Sequence, residues 1–368
     1  MAAFSDEDRA LFRKSLRDFL NQHSGEAAMR ALAESETGAD PDLWRKLAGD
    51  LGVGGLLVPE ALGGLGLGAE EMQVLLEESA GVLYGGPVLS TAVLAPTALL
   101  ASGDAAASGR FLPRLAAGAL IAAVALEDEG AGVRAGRGES GFVLNGAKTA
   151  VIDGGIAELI LVVARDSEGV LGLFALPAEA EGVARSPLDV FDRTRRQSRI
   201  VFENAAAERI GGDFAHGLEQ LMDIGAIAAA AEQVGVAQRA LDLAVDYAKV
   251  REQFGKPIGS FQAVKHLCAE MLVRVECLRA AVTSAAKASG TEAASEAASV
   301  AKSYGSLAAT FVAENLIQVL GGIGYTWEHP AHLYLRRAKT LQFAFGDAPF
   351  HRARIARLRG LGAAVSTR

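Results

Sequence analysis

The residue type best suited to gripping a charged ligand here is the arginine that opens Arg251-Glu252-Gln253-Phe254-Gly255-Lys256-Pro257-Ile258, ahead of Phe261 and Gln262. Its guanidinium is planar and permanently charged, a fork that matches a pyrophosphate bidentately. The ordinary alternative for Arg251 is an interhelical salt bridge. A second string, Gln318-Val319-Leu320-Gly321-Gly322-Ile323-Gly324-Tyr325, joins an amide able to bond a nucleotide edge to backbone that a phosphate or an adenine can approach closely. For Gly321 and Gly322 the ordinary alternative is a helix C-cap. Of the six histidines only His329 and His332 stand close together, with no Cys or Glu-x-x-His pattern beside them, so no metal site is expected.

These groups need a large scaffold, and 368 residues, half of them hydrophobic, can bury one and make two or three domains. A net charge of -8 and a pI near 5.4 exclude a nucleic-acid footprint. Cys268 and Cys277 are the only cysteines, and in helical patterns they read as reduced core residues of a cytoplasmic protein. The acidic start Ser5-Asp6-Glu7-Asp8 is unlike a secretory signal, and no apolar stretch is expected to reach the ~20 residues of a membrane span.

Periodicity divides the chain in three. In residues 1–118 the pattern is helical: Ser5 with Asp8 resembles a capping box, and Leu11, Phe12, Leu16 and Phe19 recur at helical spacing. The Gly-rich run at 62–68 breaks that zone, and a new helix begins near Ala69. In residues 119–212 short runs such as Leu159-Ile160-Leu161-Val162-Val163, Leu173-Phe174-Ala175-Leu176 and Ile200-Val201-Phe202 predict a β-domain. In residues 213–368 long helices return. One keeps Phe261, Val264, Leu267, Cys268, Met271, Leu272, Val275 and Leu278 on a face, another Leu307, Phe311, Val312, Leu316, Val319 and Leu320, and the Ala/Ser/Glu-rich stretch 288–299 separates the two. The expected fold is therefore mostly α with a central, barrel-like β-domain between an N-terminal helical domain and a C-terminal four-helix bundle.

Taken in order, four strings resemble the FAD-dependent acyl-CoA dehydrogenase family. Pro59-Glu60 with Gly63-Gly64-Leu65-Gly66 is similar to its "PE…GGLG" segment. The strings from Arg251 and Gln318 are similar to "R-x-Q-F-G-x-P-I…F-Q" and "Q-x-x-G-G-x-G-Y", and Arg336-Arg337-Ala338 to the "R-D-A" that follows. The resemblance spans nearly the whole chain. It implies that Arg251, Gln253, Phe254, Gln318, Gly321 and Gly322 bind the ADP half of a FAD belonging to a neighbouring subunit. It also implies an acyl-CoA substrate, a homo- or heterotetramer and electron-transfer flavoprotein as electron acceptor. Trp327 is read as packing at a subunit or cofactor edge. The cluster Arg193, Arg195 and Arg196 is read as a solvated loop, with contact to CoA phosphates as the alternative.

The catalytic carboxylate departs from that pattern. The family abstracts an α-proton with a Glu that aligns here with Phe345, and a phenyl ring takes no proton. Some members keep the base ahead of "R-x-Q-F-G"; that position is Gly225. Asp347 and Asp223, two residues from each, are weak candidates for a relocated base, a capping or solvated role being the alternative. In the β-domain, Glu127-Asp128-Glu129-Gly130-Ala131-Gly132-Val133-Arg134 stands for "T-E-P-x-A-G-S-D", placing a carboxylate where a hydroxyl faces the flavin. Ala150 and Ile152 replace a ring-stacking Trp and a Thr hydrogen-bond donor. The expectation is a subunit that completes a partner's FAD site without supplying the base. The alternatives are a self-sufficient homotetrameric dehydrogenase and a flavin-free scaffold of the same fold.

Overall fold

The computed structural model describes residues 4–138 and 141–361. The chain packs as two compact units. One comprises the chain up to Arg9, Ala27–Met72 and Gly85–Ile224; the other comprises Ala10–Glu26, Gln73–Tyr84 and the chain from Gly225 onward.

Helix α1 (Asp6–His23) opens on the expected capping box, Ser5 Oγ accepting from Asp8 N at 3.1 Å and Asp8 Oδ2 from Ser5 N at 3.0 Å. Helices α2 (Glu26–Glu34), α3 (Pro41–Asp50) and α4 (Ala69–Gly81) follow. Asp40 caps α3 and Pro41 sits at its first turn, where a missing N–H costs nothing. After a π-helical turn at Val88–Leu94 come α5 (Ala95–Ala101) and α6 (Ala105–Ala116).

The first unit is built on seven strands: β1 (Ala122–Ala125), β2 (Asp128–Gly138), β3 (Gly141–Ile152), β4 (Leu159–Asp166), β5 (Leu171–Pro177), β6 (Val183–Pro187) and β7 (Gln197–Ile210). The pairings β4–β2, β2–β3, β3–β7, β7–β5 and β5–β4 close on themselves, so five strands form a barrel, with β1 beside β4 and β6 beside β7. Closure leaves no free edge in that ring. Its interior is Leu144, Ile160, Val162, Phe174, Phe202 and Ala205.

The second unit is helical: α7 (Ala215–Val250, from Gly225 on), α8 (Gln262–Ala288), α9 (Ala294–Leu320), α10 (Ala331–Phe343) and α11 (Ala348–Leu358), with a hairpin of β8 (Glu252–Gln253) and β9 (Lys256–Pro257) between α7 and α8. The run 226–231 of α7 is buried all round, as a central helix should be. Glu77, its side chain 2% exposed, receives Arg13 at 2.9 Å and Arg279 at 2.7 Å, tying the segments of α1 and α4 in this unit to α8.

The structure has the expected class, helices, then a closed sheet, then a helical bundle. Details differ. Helix α9 starts at Ala294, so half of the expected separator 288–299 is helix, as its Ala and Glu content favours. Leu272 and Leu307, expected on buried faces, are exposed. Cys277 is exposed and Cys268 half-buried, so neither is a core residue. Among the described residues one segment, Ala294–Tyr325, is long and apolar enough to cross a membrane by length and composition, contrary to expectation; 56% of its apolar window is buried inside the fold.

Candidate active site

Helix α10 runs into a tight turn before α11. Phe345 has φ +55° and Gly346 φ +100°. A left-handed conformation is costly for a bulky side chain and persists only where the surroundings over-determine it. Here the surroundings are polar. Lys302 Nζ, from α9, donates to Gln342 O at 3.1 Å, to Gly346 O at 2.8 Å and to Ser306 Oγ at 2.8 Å. His351 Nε2 donates to Phe345 O at 3.0 Å. Lys302 is fully buried, and that burial pushes its ammonium down to about 7, against the pull of the Asp347 charge.

The Phe345 ring is buried against α7. A Cβ placed on Gly225 would lie 2.4 Å from Phe345 Cδ1 and 2.5 Å from Cε1. The two positions at which the resemblance puts a base thus face each other, and the phenyl ring fills the space between them. Nothing in the sequence signals this, because residues 225 and 345 are remote along the chain.

Neither weak candidate is placed as a free base. Asp347 Oδ1 accepts from Phe350 N at 2.9 Å and caps α11. Asp223 is buried and engaged in contacts of its own.

The six residues with a nucleotide-gripping pattern lie on two exposed segments of the helical unit. Arg251 follows the last turn of α7, its N–H donating to Tyr247 O at 2.9 Å and its carbonyl accepting from Ile258 N at 2.7 Å. The guanidinium enters no ion pair among the described residues, so the salt-bridge alternative is not realised here. Gln253 lies on β8, and Phe254 (92% exposed) takes the turn with Gly255, at φ +55° and +77°. The Phe254 ring meets Phe261 edge-on at 6.2 Å, and Lys256 Nζ sits 4.5 Å from the centre of Phe261. Gln318 is on the exposed side of the last turn of α9. Gly321, with φ +64° and ψ -137°, caps that helix through Ile317 O, so the C-cap alternative is realised for it. No heavy atom lies within 4 Å of a Cβ added to Gly321 or Gly322. Trp327 is also exposed, edge-on to His332 at 4.4 Å and beneath Arg336.

In the barrel, the carboxylates of the 127–129 string have different fates. Asp128 pairs at 2.7 Å with Lys148, a side chain 1% exposed that also donates to Leu126 O. Glu129 pairs with Arg199, and Glu127 is exposed. Ala150 has φ +51° at a register shift between β3 and β7. Of the basic cluster, Arg193 is exposed as a solvated loop residue would be, whereas Arg195 is buried and Arg196 donates to Ala33 O and Ser35 O, anchoring its end of the loop beside α2.

These observations divide the fit to FAD. An arginine fork free of ion pairs among the described residues, and a separate exposed turn of bare glycine backbone, have the chemistry for the ADP half. The barrel lacks the hydroxyl and ring at 127, 150 and 152 that would serve the isoalloxazine, so the residues present do not fit that half. Among the described residues no group of His, Cys, Asp and Glu is arranged to hold a metal.

Comparison with known proteins agrees with the architecture. Residues 6–119 match the family model "Acyl-CoA dehydrogenase, N-terminal domain" and residues 216–358 match "Acyl-CoA dehydrogenase, C-terminal domain". The chain is 37% identical over 333 residues to the acyl-CoA dehydrogenase IpdE2 of Mycolicibacterium smegmatis, covering 90% of this chain and 92% of that protein. It is 40% identical over 356 residues to the acyl-CoA dehydrogenase FadE34 of Mycobacterium tuberculosis, covering 92% of this chain but only 46% of that protein, so it spans about half of FadE34. Among solved structures, a chain of the ChsE4-ChsE5 complex from Mycobacterium tuberculosis superimposes with a TM-score of 0.90 at 31% identity, over 98% of this chain and 99% of that one. The chain belongs to the FAD-dependent acyl-CoA dehydrogenase family.

Proposed function

We propose that this chain is the non-catalytic subunit of a cytoplasmic acyl-CoA dehydrogenase tetramer, completing the FAD site of a partner subunit that carries the base. The observation that carries this reading is the Phe345 ring packed into the space over Gly225. α,β-Dehydrogenation of an acyl-CoA thioester needs a proton acceptor at the α-carbon, and loss of a positioned base costs ~10²–10⁴ in rate. Here both base positions are spent on one apolar contact, and Asp347 and Asp223 are committed elsewhere.

FAD supplies the electron sink for the reaction, with electron-transfer flavoprotein as the acceptor beyond it. This chain's own part is binding. Arg251 grips the pyrophosphate, Gln318 bonds the nucleotide edge, Gly321 and Gly322 let it approach, and Gln253 and Phe254 present the hairpin beside it. All six are exposed, as residues serving a neighbour would be. A complex of two chains, ChsE4-ChsE5, among the structural relatives favours a heteromer.

The test is visible spectroscopy of the purified protein. The chain expressed alone is expected to be colourless, and co-expression with a family member that retains the catalytic Glu to yield a yellow assembly bleached by acyl-CoA. Stoichiometric flavin on the chain alone, bleached by acyl-CoA, would sink the proposal in favour of a self-sufficient enzyme. No flavin under either condition would leave only a scaffold.

A further inference from the structure

The turn that carries Phe345 is held by more polar bonds than a connecting loop requires. Three of its carbonyls, those of Gln342, Phe345 and Gly346, are taken by two buried side chains, Lys302 and His351. Ser306, one turn along α9 from Lys302, donates to Gln342 O at 3.3 Å and accepts from the same ammonium. The site these groups brace is the one just described, so the inference rests on the reading of 345 as the base position.

We infer that Lys302 and His351 are positioning residues that clamp the 342–346 turn, locking the Phe345 ring over Gly225 and keeping the base position closed. An ordinary helix–helix turn needs no such clamp. A glycine or asparagine at 345 would adopt the left-handed φ without it. A phenylalanine there is held against its own preference, and a buried ammonium is a costly device for doing so unless every proton finds an acceptor. Lys302 has three protons and three acceptors: Ser306 Oγ, Gln342 O and Gly346 O. The His351 imidazole adds a separate bond from the opposite end of the turn, from α11 rather than α9. The two residues therefore act on one segment from two elements, and each can be removed alone.

Amide hydrogen exchange followed by mass spectrometry on the full chain, as it purifies, reads the clamp directly. K302M keeps the length of the side chain and removes the donors. Exchange across residues 341–350 is expected to quicken at least tenfold, while peptides of α8 and of α9 before residue 299 keep the parent rate. H351L should quicken the same segment alone, and H351Q, which retains a donor, should restore the slow exchange. A rate in 341–350 within twofold of the parent in both K302M and H351L would overturn the inference. So would a rise spread evenly over the unit, since that reports general loosening, and so would a failure of H351Q to rescue. Should K302M not fold, the two His351 variants decide alone. The measurement uses neither flavin nor acyl-CoA, so its failure is distinct from a failure of the co-expression test.

Discussion

At position 225 anything larger than a hydrogen must push the Phe345 ring aside. A methyl there would stand 2.4 Å from an aromatic carbon, closer than Cβ atoms come to anything. Replacing Gly225 by Ala gains about 1 kcal/mol of helix propensity in α7 but loses about 1–3 kcal/mol to overpacking against the ring. G225A is therefore expected to be neutral to destabilising in the parent chain. In an F345A background the clash is gone, and the same change should stabilise by about 1 kcal/mol. A double-mutant cycle by urea denaturation checks this, and additive effects would show that the two positions do not touch. Lys302 makes a second prediction. Burial lowers its ammonium to about 7, below the ordinary 10.5, so the unfolded chain binds the extra proton in the interval between. Stability should then rise with pH from about 7 toward 10.5 and be flat, for this group, below 7. Thermal unfolding across that interval should show the rise in the parent and lack that component in K302M.

Among the elements, the tightest constraint is the crossing of α4 and α7. A Cβ on Gly235 would lie 2.1 Å from the backbone carbonyl oxygen of Glu77, and a backbone atom inside a helix cannot swing aside. G235A should therefore cost at or above the upper end of the ~1–3 kcal/mol of an overpacked core, and it should also pull Glu77 from Arg13 and Arg279. Chemical denaturation at two salt concentrations tests both parts, because the ion-pair share falls with screening. This contact also marks what the sequence could reveal about elements. Runs such as 159–163 announce strands because β-branched residues between turn signals have few other uses, and Ser5 with Asp8 announces a cap because the bonds are local. The β8–β9 hairpin is illegible, its strands two residues each. The close approach at Gly235, the meeting of 225 with 345 and the clamp from Lys302 are equally hidden, because each depends on which helices become neighbours.

For the whole molecule, the division between damaged and retained groups predicts where a substitution will be felt. Arg251 makes no ion pair among the described residues, so its own unit does not need it for folding. R251A in this chain should leave the unfolding temperature within a degree or two. If the arginine grips a pyrophosphate bound in the partner, its removal forfeits charge-assisted hydrogen bonds of about 1.5–3 kcal/mol, a ~10–100-fold weaker hold on FAD. R251K, which keeps the charge and loses the fork, should fall between. Flavin release from the co-purified assembly, followed by fluorescence on dilution, separates these outcomes. Ionic strength sharpens the comparison, since an exposed contact between a guanidinium and a phosphate weakens with salt, and the difference between parent and R251A should shrink as salt rises. Equal release from parent and R251A at low salt would mean that the exposed arginine faces solvent in the assembly, and the claim that this chain completes a neighbour's cofactor site would lose its main support.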